Sequence, residues 1–254
     1  MSTATLNISS LQQRISDAEW QTRTKLAQAY HLAAKLRWTD HIYTHFSLRV
    51  PGDLPHFLIN AYGQTFDEIQ PETLVKIDID GNIIDDPTGL GINPAGFVIH
   101  SAIHRARPDA HAVMHTHTAA GMGVAAQKQG LLMISQHSSR FHRRIGYHDY
   151  EGIALDLDEQ QRIVADLGEL NALILRNHGL LTCGGGIEEA FYNLYYLERA
   201  CQAQLAAQSG GAELIIVPDE VAEKVALAFE NGIRNQKYLL HWDAYIRQLN
   251  RNAL

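Results

Sequence analysis

The sequence predicts a single α/β domain with helices packed on a mixed, largely antiparallel sheet. Three observations carry that expectation. Strand-like and helix-like periods intermix along the whole chain, and no long Pro-, Gly- or Ser-rich linker divides them. The 254 residues are 46% hydrophobic and 19% charged, enough to bury one sizeable core without disulfide staples.

The elements follow in order. Residues 1–16 are polar and read as a flexible N-terminal segment, with the domain over 17–254. From Asp17, read as an N-cap, a helix runs to about residue 36, because Leu26, Ala29, Tyr30, Ala33 and Leu36 share one face. Short strands are expected at 46–50, 57–60, 75–79 and 82–84, the last two joined by the turn pair Asp80-Gly81. Asn93-Pro94-Ala95-Gly96 opens a helix over about 97–107, closed by Pro108-Asp109. A strand at 112–118, a helix at 121–129 and a strand at 131–135 come next. A helix over 158–167 and a buried strand over 173–176 then lead to the flexible junction 184–186. Ala190, Leu194, Leu197, Cys201 and Leu205 step by three or four residues and mark the clearest helix. The stretch 212–254 reads as a helical extension, with one helix from about 219 to 250.

Composition excludes several classes of function. No window approaches eighteen apolar residues, so no membrane span is expected. The N-terminus lacks a basic segment followed by an apolar core, the mark of a secretory signal. Cys183 and Cys201 cannot make a disulfide framework, which points to a cytoplasmic location. A net charge of -7 disfavours nucleic-acid binding. The anomaly is fourteen histidines.

HAVMHTHTAAG places His115 and His117 two apart on an expected strand, where alternate side chains share a face. Two imidazoles can then serve one metal ion. LILRNHGLLTCG offers His178 as a third ligand just past a buried strand. Three neutral imidazoles leave open coordination positions, as catalytic rather than structural metal sites do. The competing reading is histidines bonded to backbone partners, and spacing alone does not choose between them.

HTHTAAG, LRNHG and NPAGFVIHSAIHRARPDAHAVMHTH resemble the class II aldolase and adducin head-domain family over most of the chain. FSLRVPG, HFLINAYG, LVKIDIDG and YHDYEGIAL are closer to its adducin-like, bacterial-type branch. The resemblance implies a three-layer α/β/α domain, a homo-oligomer with a tetramer favoured, and sites between subunits. It also implies a divalent metal held by His115, His117 and His178: zinc first, with Mn2+, Co2+ or Fe2+ as alternatives.

Such an ion chelates a hydroxyl and a neighbouring carbonyl, and stabilises the enediolate left when a carbon–carbon bond breaks. The resemblance is incomplete at one point. Where sugar-phosphate aldolases carry their catalytic Glu, four residues before a His, this chain has Gly96, preceded by Pro94 and Ala95. Glycine transfers no proton, so another acid/base is needed: His100, Glu68 or His45. His45, Tyr62 and Gly63 fall where the family places its substrate. The family's Gly-Asn phosphate loop becomes Thr44-His45, which argues against a phosphorylated sugar.

The expectation is therefore a metal-dependent lyase, of the aldehyde-lyase or carboxy-lyase kind, acting on a small hydroxy-carbonyl or keto-acid substrate. Its rivals are a non-catalytic adducin-like interaction module and a non-haem iron oxygenase on the same three histidines.

Overall fold

The computed structural model describes residues 11–152 and 158–251. Its centre is a mixed eight-stranded sheet in the order β4-β3-β2-β1-β5-β8-β7-β6. The strands are β1 (His45–Arg49), β2 (Phe57–Ile59), β3 (Val75–Ile77), β4 (Ile83–Asp85), β5 (Ala112–Thr116), β6 (Gly146–His148), β7 (Ala172–Leu175) and β8 (Gly179–Gly184). Every neighbouring pair is antiparallel except β6 and β7, which are parallel.

The described helices are α1 (Asp17–Lys35), α2 (Pro94–Ala106), α3 (Ala119–Ala125), α4 (Gln136–Ser139), α5 (Glu159–Leu167), α6 (Ile187–Gln208), α7 (Asp219–Arg234) and α8 (Tyr238–Arg251).

Side chains alternate across the strands and so build two cores, giving three layers. On one face Phe46, Met114, Ile174 and Leu180 pack with Leu26 and Tyr30 of α1 and Leu194 and Leu197 of α6. On the other, Val113, Leu173, Leu175 and Leu181 pack with Val98, Ile99 and Ile103 of α2 and Ile163 and Leu167 of α5. Their neighbours in sequence fix where polar groups fall. Phe46 faces α1, so His45 and Ser47 face α2; Val113 faces α2, and His115 follows it there.

The expected helices and strands recur with shifted ends, and the shifts have local causes. Ser16, not Asp17, caps α1, accepting from the Glu19 amide at 3.1 Å. Helix α2 starts three residues early: Asn93 caps it, and Pro94 fits the first turn, where an N–H is not needed. Strand β6 was not expected in GYHDYEG, and neither was β8, whose all-buried run shows no alternation. Residues 131–135 form no strand. Side chains and a local turn take their amides instead: Leu131 donates to Tyr147 Oη (3.1 Å), Leu132 to Gln204 Oε1 (2.7 Å) and Ile134 to Ser138 Oγ (3.1 Å).

The single C-terminal helix is two, parted where Gln236 takes φ 54°. In α8, Trp242 and Tyr245 pack on Phe191 with ring centroids 5.8 and 5.5 Å away. Of the expected flexible segment 1–16, residues 1–10 lie outside the described residues, while Leu11 is buried. Among the described residues no helix is long and apolar enough to cross a membrane.

Candidate metal centre and active site

Strand β5 carries His115 and ends at Thr116, because Thr118 already caps α3 through the Gly121 amide. His117 therefore lies past the strand, not on it. Even so, its Nε2 comes within 2.9 Å of His115 Nε2. His178 arrives from the β7–β8 connection. Asn177 adopts φ 55°, a left-handed conformation Asn tolerates. Gly179 lies so close to β5 that a Cβ there would sit 2.3 Å from the Thr116 carbonyl oxygen. The Asn-His-Gly triplet is thus a turn, a candidate ligand and a point of close approach. Ring centroids of His178 lie 4.7 Å from His115 and 4.8 Å from His117. One nitrogen from each of the three falls within 4.8 Å of the others.

The partners of these rings assign their tautomers. His115 Nδ1 faces the Leu180 carbonyl at 2.9 Å, and His117 Nδ1 faces the Asp40 carboxylate at 2.8 Å. Both partners only accept, so both Nδ1 atoms carry the proton and both Nε2 atoms are bare in the neutral rings. Two bare lone pairs 2.9 Å apart repel unless a cation stands between them. Burial, then His178 and His117, hold His115 well below the usual histidine range. Burial, then His117 and His148, bring His178 down to about 4. Neutral imidazoles are the metal-binding form, so the donor set fits a divalent ion.

Behind this group runs a second set of buried histidines, between β1 and α2. His45 lies opposite His115 across β1 and β5. Its Nδ1 is 2.8 Å from His100 Nε2. His100 Nδ1 bonds Ser47 Oγ, which is 2.8 Å from His104 Nε2, and His104 Nδ1 is 3.1 Å from the Ala110 carbonyl.

The Ala110 oxygen only accepts, and that orders the chain. His104 donates from Nδ1, so its Nε2 accepts the Ser47 hydroxyl. Ser47 then accepts from His100 Nδ1, and His100 Nε2 accepts from His45 Nδ1. The end of the chain is a bare Nε2 on His45. Burial is the main reason His45 and His104 are lowered to about 3 and His100 falls well below the usual range, so all three are neutral.

His45, His115, His117 and His178 line a cavity of about 550 Å³ together with Tyr43, Tyr62, Tyr150 and Met122. A Cβ at Gly96 would lie 2.7 Å from His45 Cδ2 and 3.0 Å from its Nε2. The imidazole thus fills the space a side chain at 96 would claim.

The other residues singled out in the sequence are placed differently. Tyr62 lines the cavity, with its ring 6.4 Å from Tyr43, whereas Gly63 is not among the lining residues. Glu68 is exposed and caps a turn, accepting from Thr65 N and Oγ1 at 2.8 and 2.9 Å, and does not line the cavity either. His100 is fully buried one ring behind His45. His148 is held by Asp166 at 2.7 Å, away from the lining. Burial pushes the Cys183 thiol up to about 12, against a nucleophilic role.

Sequence reasoning missed Asp40, Tyr43, Tyr150 and Met122. Nothing in the chain ties Asp40 to a histidine 77 positions away.

The family described as Class II Aldolase and Adducin N-terminal domain matches residues 24–205. A crystal structure of an aldolase II superfamily protein from Pseudomonas syringae superposes with a TM-score of 0.93 at 59% identity, covering 96% of this chain and 97% of that one. A provisionally named class 2 aldolase protein of Caulobacter vibrioides is 45% identical over 260 residues, with 100% of this chain and 98% of its own length covered. Alpha-adducin of Rattus norvegicus is 43% identical over 201 residues, which cover 78% of this chain but 27% of adducin. The chain belongs to the class II aldolase and adducin N-terminal domain family.

Proposed function

We propose that this protein is a divalent-metal-dependent lyase that breaks a carbon–carbon bond, by aldol cleavage or decarboxylation, in a small hydroxy-carbonyl or keto-acid substrate. The observation that carries the reading is the pair of bare Nε2 atoms of His115 and His117, 2.9 Å apart and joined by the His178 ring. When bound, the ion supplies Lewis acidity to the oxygen on which negative charge develops as the bond breaks. Three imidazoles suit zinc first, with manganese, cobalt and iron as weaker competitors.

The chain's own residues do the rest. Asp40 and the Leu180 carbonyl fix the orientation of His117 and His115. His45 presents an unprotonated Nε2 to the cavity and takes or returns the proton there. His100 touches no cavity volume and positions His45. Met122, Tyr43 and Tyr150 are 42–55% exposed at the cavity, as suits a mouth completed by a neighbouring copy. A cytoplasmic homo-oligomer, a tetramer by family resemblance, follows from the same reading.

A second reading has one specific observation in its favour: the identity with alpha-adducin, together with Gly96 where aldolases carry their Glu. It makes the chain a non-catalytic interaction module.

Elemental analysis of untagged protein purified without chelators separates the two. Near-stoichiometric zinc, manganese or cobalt per chain is expected. Near-stoichiometric iron would turn attention to oxygen chemistry. No metal, even after incubation with each ion, would overturn the lyase and leave the interaction module.

A further inference from the structure

We infer that the substrate carries no phosphoryl group, and that its body beyond the metal-chelating oxygens is an uncharged aromatic ring. This rests on the reading of the three histidines as an open metal site. Two independent features of the cavity lead to it.

The first is the lack of a cationic side chain to hold a dianion. Among the described residues, none that lines the cavity is Lys, Arg, Asp or Glu. Residues 1–10, 153–157 and 252–254 contain no Lys or Arg. Arg176, on the β7–β8 connection, is engaged by Asp149 at 3.3 Å and lies over the Tyr147 ring.

The other device proteins use for phosphate is a helix N-terminus with free amides. Helix α2 begins at the cavity, where Asn93 and Ala95 line the wall, but its first two positions offer no free amide. Pro94 has no N–H, and Asn93 Oδ1 already accepts the Ala95 amide at 3.1 Å. A phosphoryl group here would lose its water and meet only neutral hydroxyl and amide side chains, with no cationic side chain of the described lining to balance its charge.

The second feature is what the wall does offer. Tyr43, Tyr62 and Tyr150 present rings to the cavity beside Ile99 and Met122. Tyr150 stands 6.3 Å from the His178 ring, and Tyr43 is 6.4 Å from Tyr62. A cavity of about 550 Å³ has room for a ring-bearing molecule with its chelating oxygens at the histidines. Aromatic and thioether walls reward a planar apolar body through area and ring contacts.

Hydroxamates test this, because they chelate a divalent ion through two oxygens and need no turnover. Zinc-loaded protein is titrated calorimetrically with acetohydroxamate, benzohydroxamate and phosphoglycolohydroxamate. Benzohydroxamate should bind about ten-fold tighter than acetohydroxamate, and phosphoglycolohydroxamate no tighter than acetohydroxamate. Tyr62→Ala and Tyr150→Ala should erode the preference for the phenyl ring while zinc content stays unchanged. Tighter binding of the phosphorylated probe, including through a cation from a neighbouring copy, overturns the inference. So does a benzohydroxamate no better than acetohydroxamate. Failure of all three probes to bind protein shown to hold zinc overturns the open-metal reading itself, and the substrate class with it.

Discussion

The imidazole of His45 occupies the space into which any side chain at position 96 would project, with Cδ2 only 2.7 Å from where that Cβ would stand. Gly96 and His45 are therefore one structural choice made at two positions. A carboxylate reaching in from α2 and an imidazole reaching in from β1 cannot share this volume. The chain lacks the first because it has the second.

Gly96→Ala should accordingly act on His45 rather than on the helix. The methyl group must displace the ring, and turnover should fall about 100-fold or more, as expected when a proton-transfer group is lost. His45→Ala should match it, and the double variant should be no worse than either. Steady-state kinetics beside metal content checks this. Additive losses would show that the two residues act independently.

The chain from Ala110 to His45 makes Ser47 a switch of tautomer. Its hydroxyl gives to His104 and receives from His100, so Ser47→Ala cuts the link that keeps His45 Nε2 bare. Nitrogen NMR of labelled histidine should show the single His45 tautomer of the parent become a mixture. Turnover should drop about ten-fold with KM little changed. An unchanged spectrum would remove Ser47 from the chain.

The Asp40 carboxylate meets the candidate metal site through His117 Nδ1, at 2.8 Å. Loss of such a carboxylate partner frees the ring to turn and lowers its basicity. Asp40→Ala should weaken metal affinity about 10–100-fold with all three ligands intact, measured by competition with a chelator. Affinity within two-fold of the parent would show that packing alone orients His117.

How much of this was legible in the sequence depended on whether the signal was local. The His115, His117 and His178 motifs lie in two short segments, and the structure brings their nitrogens together. The reason given for His115 and His117 was only half right, since His117 lies beyond the strand and a helix cap sets its place. Strand β8 was hidden because a strand buried on both faces has no alternation to read. Asp40, Ser47 and the Gly96–His45 exclusion were invisible for another reason. Each is a contact across 51 to 77 positions, and no spacing rule reaches that far.

The buried neutral histidines also set the acid stability of the fold. His45 and His104 are lowered to about 3 by burial, and His100 well below the ordinary value, whereas in the unfolded chain each titrates near 6.5. Above that pH both states are neutral and the groups contribute nothing. Below it the unfolded chain takes up protons that the folded one refuses, so stability falls as pH falls, and keeps falling to about 3.

From pH 7 to pH 5 the loss is about 2 kcal/mol each for His45 and His104, and His100 adds to it in the same direction. His104 is the residue to test, because it lies away from the metal ligands, between Ser47 and the Ala110 carbonyl. Urea unfolding of metal-free protein at pH 7, 6 and 5 should give a steep decline for the parent. His104→Gln should be less stable at pH 7 but decline more gently, by about 1.4 kcal/mol per pH unit once below 6. Equal slopes would mean that His104 takes up a proton in the folded state, and would undo the tautomer assignment that ends on His45.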